Sequence, residues 1–456
     1  MNYDIIIIGG GPGGYSCALR AVQYGLRAAL IEKDLLGGTC LNRGCIPTKT
    51  LLFAAGLLSS MKQGARFGVA ADNVRPDYEA LRARCAEVTG QLRNGLTKLL
   101  KQQKVDVYAG EGRVTAAGEV TVACADGTET ALTAGDIVLA TGSVPAVPPI
   151  PGADLAGVYT SDTLLSDLPE LSRLVIIGGG VIGTEFAEVY RALGAEVTVI
   201  EAMPRILPPM SADLARHLAA DFRKKGVKVI AKASVTEIVR TDGGLAVRYT
   251  LADKPQEIAA DGVLIATGRR AGVAGLTPFA LKEDRRRVVV DEHCRTSEPH
   301  VYAIGDITAG FPQLAHTAEA QGKIAAAAVA GKASAIRLDL IPSVVYTRPE
   351  IASVGVSEEE AKASGAPYKV GRAMMGANAK SLIAGEAGYM KLIADGEGRL
   401  IGAEFQCEEA SNLVSEATLA IAAGLTAETF ASIVRPHPSV EEAMGETAEG
   451  LLSFEK

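Results

Sequence analysis

Two stretches of this chain, 169 residues apart, carry the same succession of signals. In the first, the apolar run Asp4 to Ile8 leads into Gly9-Gly-Gly-Pro-Gly-Gly14, a helical stretch to about Tyr24, and a second run, Ala28 to Ile31, closed by Glu32. In the second, Leu174 to Ile177 leads into Gly178-Gly-Gly-Val-Ile-Gly183, a helix to Leu193, and Glu196 to Ile200 closed by Glu201. Short apolar runs without alternation predict parallel strands buried on both faces. In each G-x-G-x-x-G the first glycine (Gly9, Gly178) permits the tight turn and the second (Gly11, Gly180) lets a pyrophosphate approach the backbone. The third (Gly14, Gly183) lets helix and strand pack closely. The closing acid is placed to accept hydrogen bonds from a ribose. A lone glycine motif can be purely structural, but the strand before, the acid after and the second copy point to two dinucleotide sites. Because Glu201 rather than an arginine cluster ends the second unit, a 2′-hydroxyl is favoured over a 2′-phosphate, hence NAD over NADP. Arg205, close by, is the opposing feature.

Shorter echoes place the boundaries. Asp136 to Ala140 and Gly262 to Ala266 are strand-like runs followed by Thr-Gly, each placed to close one unit. The Pro-rich link Val144 to Gly152 reads as the crossing between units, and Arg269 to Gly275 as the return. Val301-Tyr-Ala-Ile-Gly-Asp306 is a short strand delivering an aspartate. Asp306 suits a sugar or ribityl hydroxyl if this segment packs back on the first unit, and otherwise a turn or helix cap. Leu81 to Lys104 predicts a long amphipathic helix with no assignable chemistry. From about Ile341 the texture changes to alternating strands and later helices, an α+β domain.

A length of 456 residues, 48% apolar and 22% charged, fits about three such domains. The net charge of −7 argues against a general nucleic-acid or anionic-membrane binder. No apolar run reaches the ~18 residues of a membrane span, and the Met-Asn-Tyr-Asp start has no basic region of a leader. The expectation is a cytoplasmic protein with neither nucleic-acid nor membrane partner.

Seven cysteines are scattered except for Cys40 and Cys45, which does not look like a secreted disulfide framework. A helix carrying this pair just after the first unit would point its N-terminal end at a bound cofactor, where free amides and the helix dipole stabilise a thiolate. In a regular helix, positions five apart are too distant for a disulfide, whose Cα atoms lie roughly 4.4 to 6.8 Å apart. Bridging would need a distorted first turn; Gly44 offers the freedom, and Pro47 fits the first turn of the regular helix that follows. The alternative is two unpaired cysteines that merely pack.

Near the end stands Arg435-Pro-His-Pro-Ser-Val-Glu-Glu442. His437 lies between prolines that restrict the backbone on both sides, and an imidazole titrating near pH 6.5 suits proton transfer to and from a thiol. A rigid surface turn is the alternative, and Ser439 to Glu442 also reads as a capping box, so Glu442 could be only a helix start.

Taken together, these motifs resemble the flavin-dependent pyridine nucleotide-disulfide oxidoreductases, and within that family the branch acting on lipoamide. The resemblance rests on Gly9 to Gly14 with Glu32, on Gly-Gly-Thr-Cys40-Leu-Asn-Arg-Gly-Cys45-Ile-Pro-Thr-Lys49 and on Gly178 to Glu201. Further on it rests on Ala-Ile-Gly-Asp306, Leu-Ala-His316, Tyr346-Thr-Arg-Pro-Glu-Ile-Ala-Ser-Val-Gly355 and His437-Pro with Glu442. It implies an α/β fold with two Rossmann-like domains, for FAD and NAD, plus a C-terminal α+β dimerisation domain. The implied division is an FAD-binding domain at 1–143, an NAD-binding domain at 144–271, a central segment at 272–340 completing the FAD domain, and an interface domain at 341–456. FAD, tightly but not covalently bound, would use Gly9, Gly11, Gly14, Glu32, Gly38, Thr39, Lys49, Thr141, Gly142, Asp306 and the backbone at Ala315, with Gly112 a further candidate. NAD would use Gly178, Gly180, Val181, Ile182, Gly183, Glu201, Val235 and Gly268. Cys40 and Cys45 would be the redox disulfide, Cys40 exchanging with substrate and Cys45 against the flavin. Lys49 would sit near flavin N5, paired with Glu185. His437, oriented by Glu442, would be the acid-base residue and reach the other subunit's disulfide, which implies an obligate homodimer. No metal is implied. The implied reaction oxidises protein-bound dihydrolipoamide to lipoamide and reduces NAD, with a lipoyl-bearing protein of a 2-oxoacid dehydrogenase or glycine cleavage complex as partner.

The chain departs from the family at Ala377-Asn-Ala-Lys380, where an arginine is frequent, and at Arg435-Pro436 before the histidine. A glutathione-type reductase would want basic residues where Glu201 stands, and a mercuric-type enzyme extra C-terminal cysteines, absent from Gly450 to Lys456. The alternatives are another NAD-linked flavoprotein disulfide reductase, or a flavin-containing redox sensor or binding subunit.

Overall fold

The isoleucine run near the start forms the strand Asn2–Ile8, and its side chains divide between two layers. Ile5 and Ile7 pack with Cys17, Ala18 and Ala21 of the helix Pro12–Gln23, while Ile6 and Ile8 pack on the opposite face with Val120, Val122 and Leu132. Period-two alternation therefore operates here, but both faces are apolar environments, so the run reads as continuous. The computed structural model describes residues 2–273 and 275–452; residue 1, residue 274 of the return link and the last four residues, 453–456, lie outside it.

The first sheet runs Asp106–Ala109, Ala28–Glu32, Asn2–Ile8, Glu129–Leu139, with parallel pairing throughout. Glu129–Leu139 is long enough to serve two neighbours on its other edge. Its first half pairs antiparallel with Glu119–Ala123, which continues to Glu111–Ala116. Its last part pairs parallel with Val301–Ala303, in the register Val301 with Ile137 and Ala303 with Leu139. The segment bearing Asp306 thus returns to the first unit.

The second sheet, Lys228–Ala231, Glu196–Glu201, Arg173–Ile177, Gly262–Ile265, Val158–Thr160, is parallel throughout. The antiparallel meander Ala233–Thr241, Gly244–Leu251, Lys254–Ala260 covers one face, with Ile238 and Val247 against Val175 and Ile177. Link and return between the two units meet as a two-stranded ribbon, Ser143–Pro145 with Arg269–Ala271.

Residues after 341 form an antiparallel sheet, Ser343–Val345, Glu350–Gly355, Leu400–Cys407, Tyr389–Asp395, Tyr368–Met374, backed by Ala410–Ala422. The long helix expected near 81–104 spans Tyr78–Gln102, with the Asp77 carboxylate accepting from the Ala80 amide as its cap. Among the described residues no helix is long and apolar enough to cross a membrane.

Candidate active site

The two glycine loops are near copies in three dimensions. Gly9 and Gly178 have φ of 113° and 107°, and a Cβ on either would run into the carbonyl of Ala140 or Ala266. A Cβ at Gly14 would lie 1.8 Å from the Gly9 oxygen, and one at Gly183 2.0 Å from the Gly178 oxygen, so these two bring helix onto strand. A Cβ on Gly11 would meet nothing nearer than the Gly38 Cα at 3.9 Å, and one on Gly180 would meet nothing within 4 Å outside its own helix and chain neighbours. Space is therefore kept beside the middle glycine of each loop, at a helix N-terminus whose amides favour an anion. Glu32 accepts from the amides of Gly10 (2.7 Å) and Asp34 (2.9 Å), and Glu201 from those of Gly179 and Met203 (both 2.7 Å). Each carboxylate is fixed by its own loop while lining a cavity. Arg205 does not line that cavity: it donates to the Met210 carbonyl and pairs with Glu359 at 3.6 Å.

Both loops open into one continuous cavity of about 1710 Å³. A single small-molecule site is typically about 300–1,000 Å³, so this one has room for more than one ligand. Of the residues expected to hold a cofactor, Gly9, Gly11, Glu32, Gly38, Thr39, Lys49, Gly112, Thr141, Gly142, Asp306 and Ala315 line its first half. Gly178, Gly180, Val181, Ile182, Glu201, Val235 and Gly268 line the second. Gly14 and Gly183 lie behind it. The open space at the middle glycines, the amide-lined helix starts and the anchored carboxylates fit two dinucleotides.

Where the halves meet stands the cysteine pair, bonded to one another with Cα atoms 4.7 Å apart. The pair was expected on one helix with a distorted start. Instead Cys40 belongs to a short helix, Gly38–Arg43, and Cys45 opens a separate one, Cys45–Lys62, with the break at Gly44. A Cβ at Gly44 would lie 3.0 Å from the Thr39 oxygen and 3.3 Å from the Cys40 Cα, so a side chain there would have to push these neighbours back by a few tenths of an ångström. Cys45 occupies the first turn of an 18-residue helix, the position at which the dipole most favours a thiolate. Gly38 presses on the first loop: a Cβ there would meet the Gly11 Cα at 2.7 Å.

One turn on, Lys49 Nζ donates to both oxygens of Glu185, at 2.9 and 2.8 Å. The Glu185 side chain is only 4% exposed and also accepts from the Tyr346 amide at 3.1 Å, and the Tyr346 ring lies 4.7 Å below the Lys49 ammonium. Tyr346 belongs to the last domain, so three parts of the chain meet here. Its contribution was not legible, because nothing in the motif shows which way the ring faces. The long helix, which carried no assignable chemistry, is a support: Arg93 donates to Asn42 Oδ1 at 2.9 Å, and Asn42 Nδ2 bonds the carbonyls of Leu36 and Gly38. No spacing signal singles out Arg93.

His437 and Glu442 are brought together with each other but not with the cavity. His437 Nδ1 lies 2.8 Å from Glu442 Oε1, while the histidine side chain is 74% exposed. Glu442 also accepts from the Ser439 amide at 2.9 Å; that bond first, and His437 second, hold its carboxyl below the usual glutamate range. Only half of the expected capping box forms, since the Ser439 hydroxyl has no partner among the described residues and the helix Glu442–Glu449 begins later. Exposed apolar side chains stand nearby in sequence, Ile433 and Val434. Among the described residues no group of three or more His, Cys, Asp or Glu could hold a metal.

A disulfide set between two dinucleotide loops, with a separate strand-rich domain at the end, defines a class, and the chain belongs to it: the pyridine nucleotide-disulphide oxidoreductase family, whose model matches residues 3–322. The dimerisation domain of that family matches residues 341–448 and implies a homodimer. Members bind FAD and NAD(P). Relatives include a dihydrolipoyl dehydrogenase of Chlamydia pneumoniae, 38% identical over 98% of this chain and 96% of its own length. Dihydrolipoyl dehydrogenase 3 of Pseudomonas putida is 39% identical over 98% and 97%. Among solved structures, LpdA of Mycobacterium tuberculosis aligns with a TM-score of 0.91 at 28% identity, covering 98% of this chain and 99% of that one. The HOCl-induced flavoprotein disulfide reductase RclA of Escherichia coli aligns at 0.86 and 30%, over 98% and 99%.

Proposed function

We propose that this protein is a dihydrolipoamide dehydrogenase, oxidising protein-bound dihydrolipoamide to lipoamide through Cys40–Cys45 and FAD with reduction of NAD. The observation that carries this reading is the bonded pair at the junction of one cavity shared by both glycine loops. Glu201 supports NAD, because an anchored carboxylate at the ribose position repels a 2′-phosphate, and Arg205 is engaged elsewhere. The full-length likeness to two dihydrolipoyl dehydrogenases supports the substrate.

On this reading FAD lies along Gly9 to Gly14, Glu32, Asp306 and Ala315, and NAD along Gly178 to Gly183, Glu201, Val235 and Gly268. Bound FAD supplies a two-electron carrier between the dithiol and NAD. One substrate thiolate attacks Cys40 Sγ; the Cys40–Cys45 bond breaks, and Cys45 leaves as a thiolate stabilised by its helix start. The partner subunit's imidazole at position 437 takes the proton of the second substrate thiol. That thiolate attacks the mixed disulfide, releasing Cys40 and the cyclic disulfide product. The substrate loses two electrons, and they stay on the protein dithiol until passed to NAD. Lys49 and Glu185 hold a fixed charge pair beside the cysteines, and Glu442 orients His437. We place the protein in the cytoplasm, with residues 272–340 completing the domain begun by 1–143 and with a lipoyl-bearing protein of a 2-oxoacid dehydrogenase or glycine cleavage complex as partner.

The likeness to RclA supports a second reading, an NAD-linked flavoprotein disulfide reductase with a different substrate. Purified protein is to be assayed for NADH formation from free dihydrolipoamide, with NADP and glutathione in parallel. Rapid NADH formation with dihydrolipoamide alone is the expected result. Reduction of the protein by NADH without turnover of any of these thiols would sink the lipoamide reading and leave the second, or a redox sensor.

A further inference from the structure

Arg269 has no role in the reaction as described, yet its guanidinium is only 14% exposed and lines the cavity. It follows Gly268, on the return strand whose partner is the outgoing link, with Ala271 opposite Ser143. Arg269 Nε donates to Ser143 Oγ and Nη2 to the Ser143 carbonyl, both at 2.7 Å, while Nη1 lies 3.8 Å from Asp162. Ser143 Oγ in turn bonds Asp306 Oδ2.

Proton counting gives this chain a direction. A guanidinium can only donate, so the Ser143 oxygen accepts from Arg269 and its single proton is turned toward Asp306 Oδ2, which accepts. Ser143 is 7% exposed, and turning its proton away would give up its bond to Asp306 Oδ2. Asp306 Oδ2 is thereby committed. Among the described residues Oδ1 has no hydrogen bond, and Asp306 lines the cavity. A carboxylate held by one oxygen and open at the other is set to accept from a polyol hydroxyl in one orientation.

We infer that Arg269 is a positioning residue that, acting through Ser143, fixes Asp306 for a sugar or ribityl hydroxyl of the dinucleotide in the first half. This rests on the proposed placement of FAD along Asp306.

The test is the rate of flavin release from the full-length holoenzyme after dilution, followed by flavin fluorescence, for Asp306→Ala, Ser143→Ala, Arg269→Met, Arg269→Lys and the Ser143→Ala/Arg269→Met pair. Ser143→Ala and Arg269→Met are each expected to speed release about ten-fold, and the double variant no more than the larger single effect, because both break one chain. Arg269→Lys, which keeps the charge but not the fork, is expected to stay fast. Release at the wild-type rate from Ser143→Ala, a small change that leaves the fold intact, would overturn the inference, and so would independent multiplication of the two single effects. If Asp306→Ala itself leaves release unchanged, it is the placement of FAD that fails.

Discussion

Glu185, expected beside Lys49 only through the family resemblance, shows how a residue with no motif of its own becomes part of a site. It sits in the helix after the second glycine loop, among side chains that pack, and the Lys49 ammonium makes its burial tolerable. Lys49→Met leaves this carboxylate with only the Tyr346 amide, and chemical denaturation of the holoprotein is expected to show a loss of about 2–4 kcal/mol, partly recovered by adding Glu185→Gln. Glu442 is the opposite case, legible beside His437 but of uncertain purpose until the 2.8 Å contact appears. Its lowered carboxyl keeps its charge as the pH falls through the ordinary glutamate range near ~4.3. What it contributes is therefore present above that range and lost only as the pH falls through the lower folded value. Glu442→Gln is expected to slow dithiol turnover about ten-fold or more, with reduction by NADH unchanged, as read by rapid mixing of each half-reaction.

Among elements, the strands and glycine loops were readable because their chemistry is local: a β-branched run, a turn that only glycine can make, an acid at a strand end. A distortion at Gly44 was readable too, but not that it splits the stretch into two helices, Gly38–Arg43 and Cys45–Lys62, since that depends on how the Gly44 backbone lies against Thr39 and Cys40. The third glycines offer an element-level experiment. Gly14→Ala forces the helix off the first loop and is expected to cost about 3 kcal/mol and yield protein depleted of flavin. Gly183→Ala makes the same clash in the second loop, and is expected to retain flavin absorbance but lose reduction by NADH. Equal flavin loss in both variants would show that the two loops do not serve separate ligands.

At the scale of the molecule, the helix Ala212–Lys225 of the second unit is pinned to the terminal sheet by Lys391, whose side chain is 1% exposed. Lys391 reaches Asp213 at 2.5 Å, Glu358 at 2.8 Å and Glu404 at 3.2 Å. Burial pushes Asp213 and Glu358 up, but the hydrogen bond and charge of Lys391 together with the neighbouring arginines, Arg216 and Arg372 for Asp213 and Arg372 for Glu358, outweigh it and hold both below the usual range; Glu404, more deeply buried, is pushed up. Stability from Asp213 and Glu358 is thus complete above their unfolded values and lost as the pH falls through their lower folded ones, with Glu404 opposing. Lys391→Met is expected to cost about 3–5 kcal/mol at neutral pH, with the difference from wild type narrowing toward acid in melting curves. Exposure of His437 in the single chain carries a second prediction: mixing Cys45→Ser subunits with His437→Gln subunits restores dithiol turnover, since one site of each hybrid dimer is then intact. No recovery in hybrids shown to form would place His437 within its own subunit's site.

By itself the sequence determined that this chain builds two dinucleotide loops and a terminal α+β domain, and which residues carry charge or sulfur beside them. Those features depend on short-range sterics and on side-chain patterns within one or two turns. Tertiary structure alone decided what meets what: Val301–Ala303 returning to the first sheet, Arg93 propping Asn42, Tyr346 under Lys49, and Arg269 reaching Asp306 through Ser143. Such contacts join residues tens to hundreds of positions apart. Their geometry comes from how whole layers pack, which no local pattern encodes.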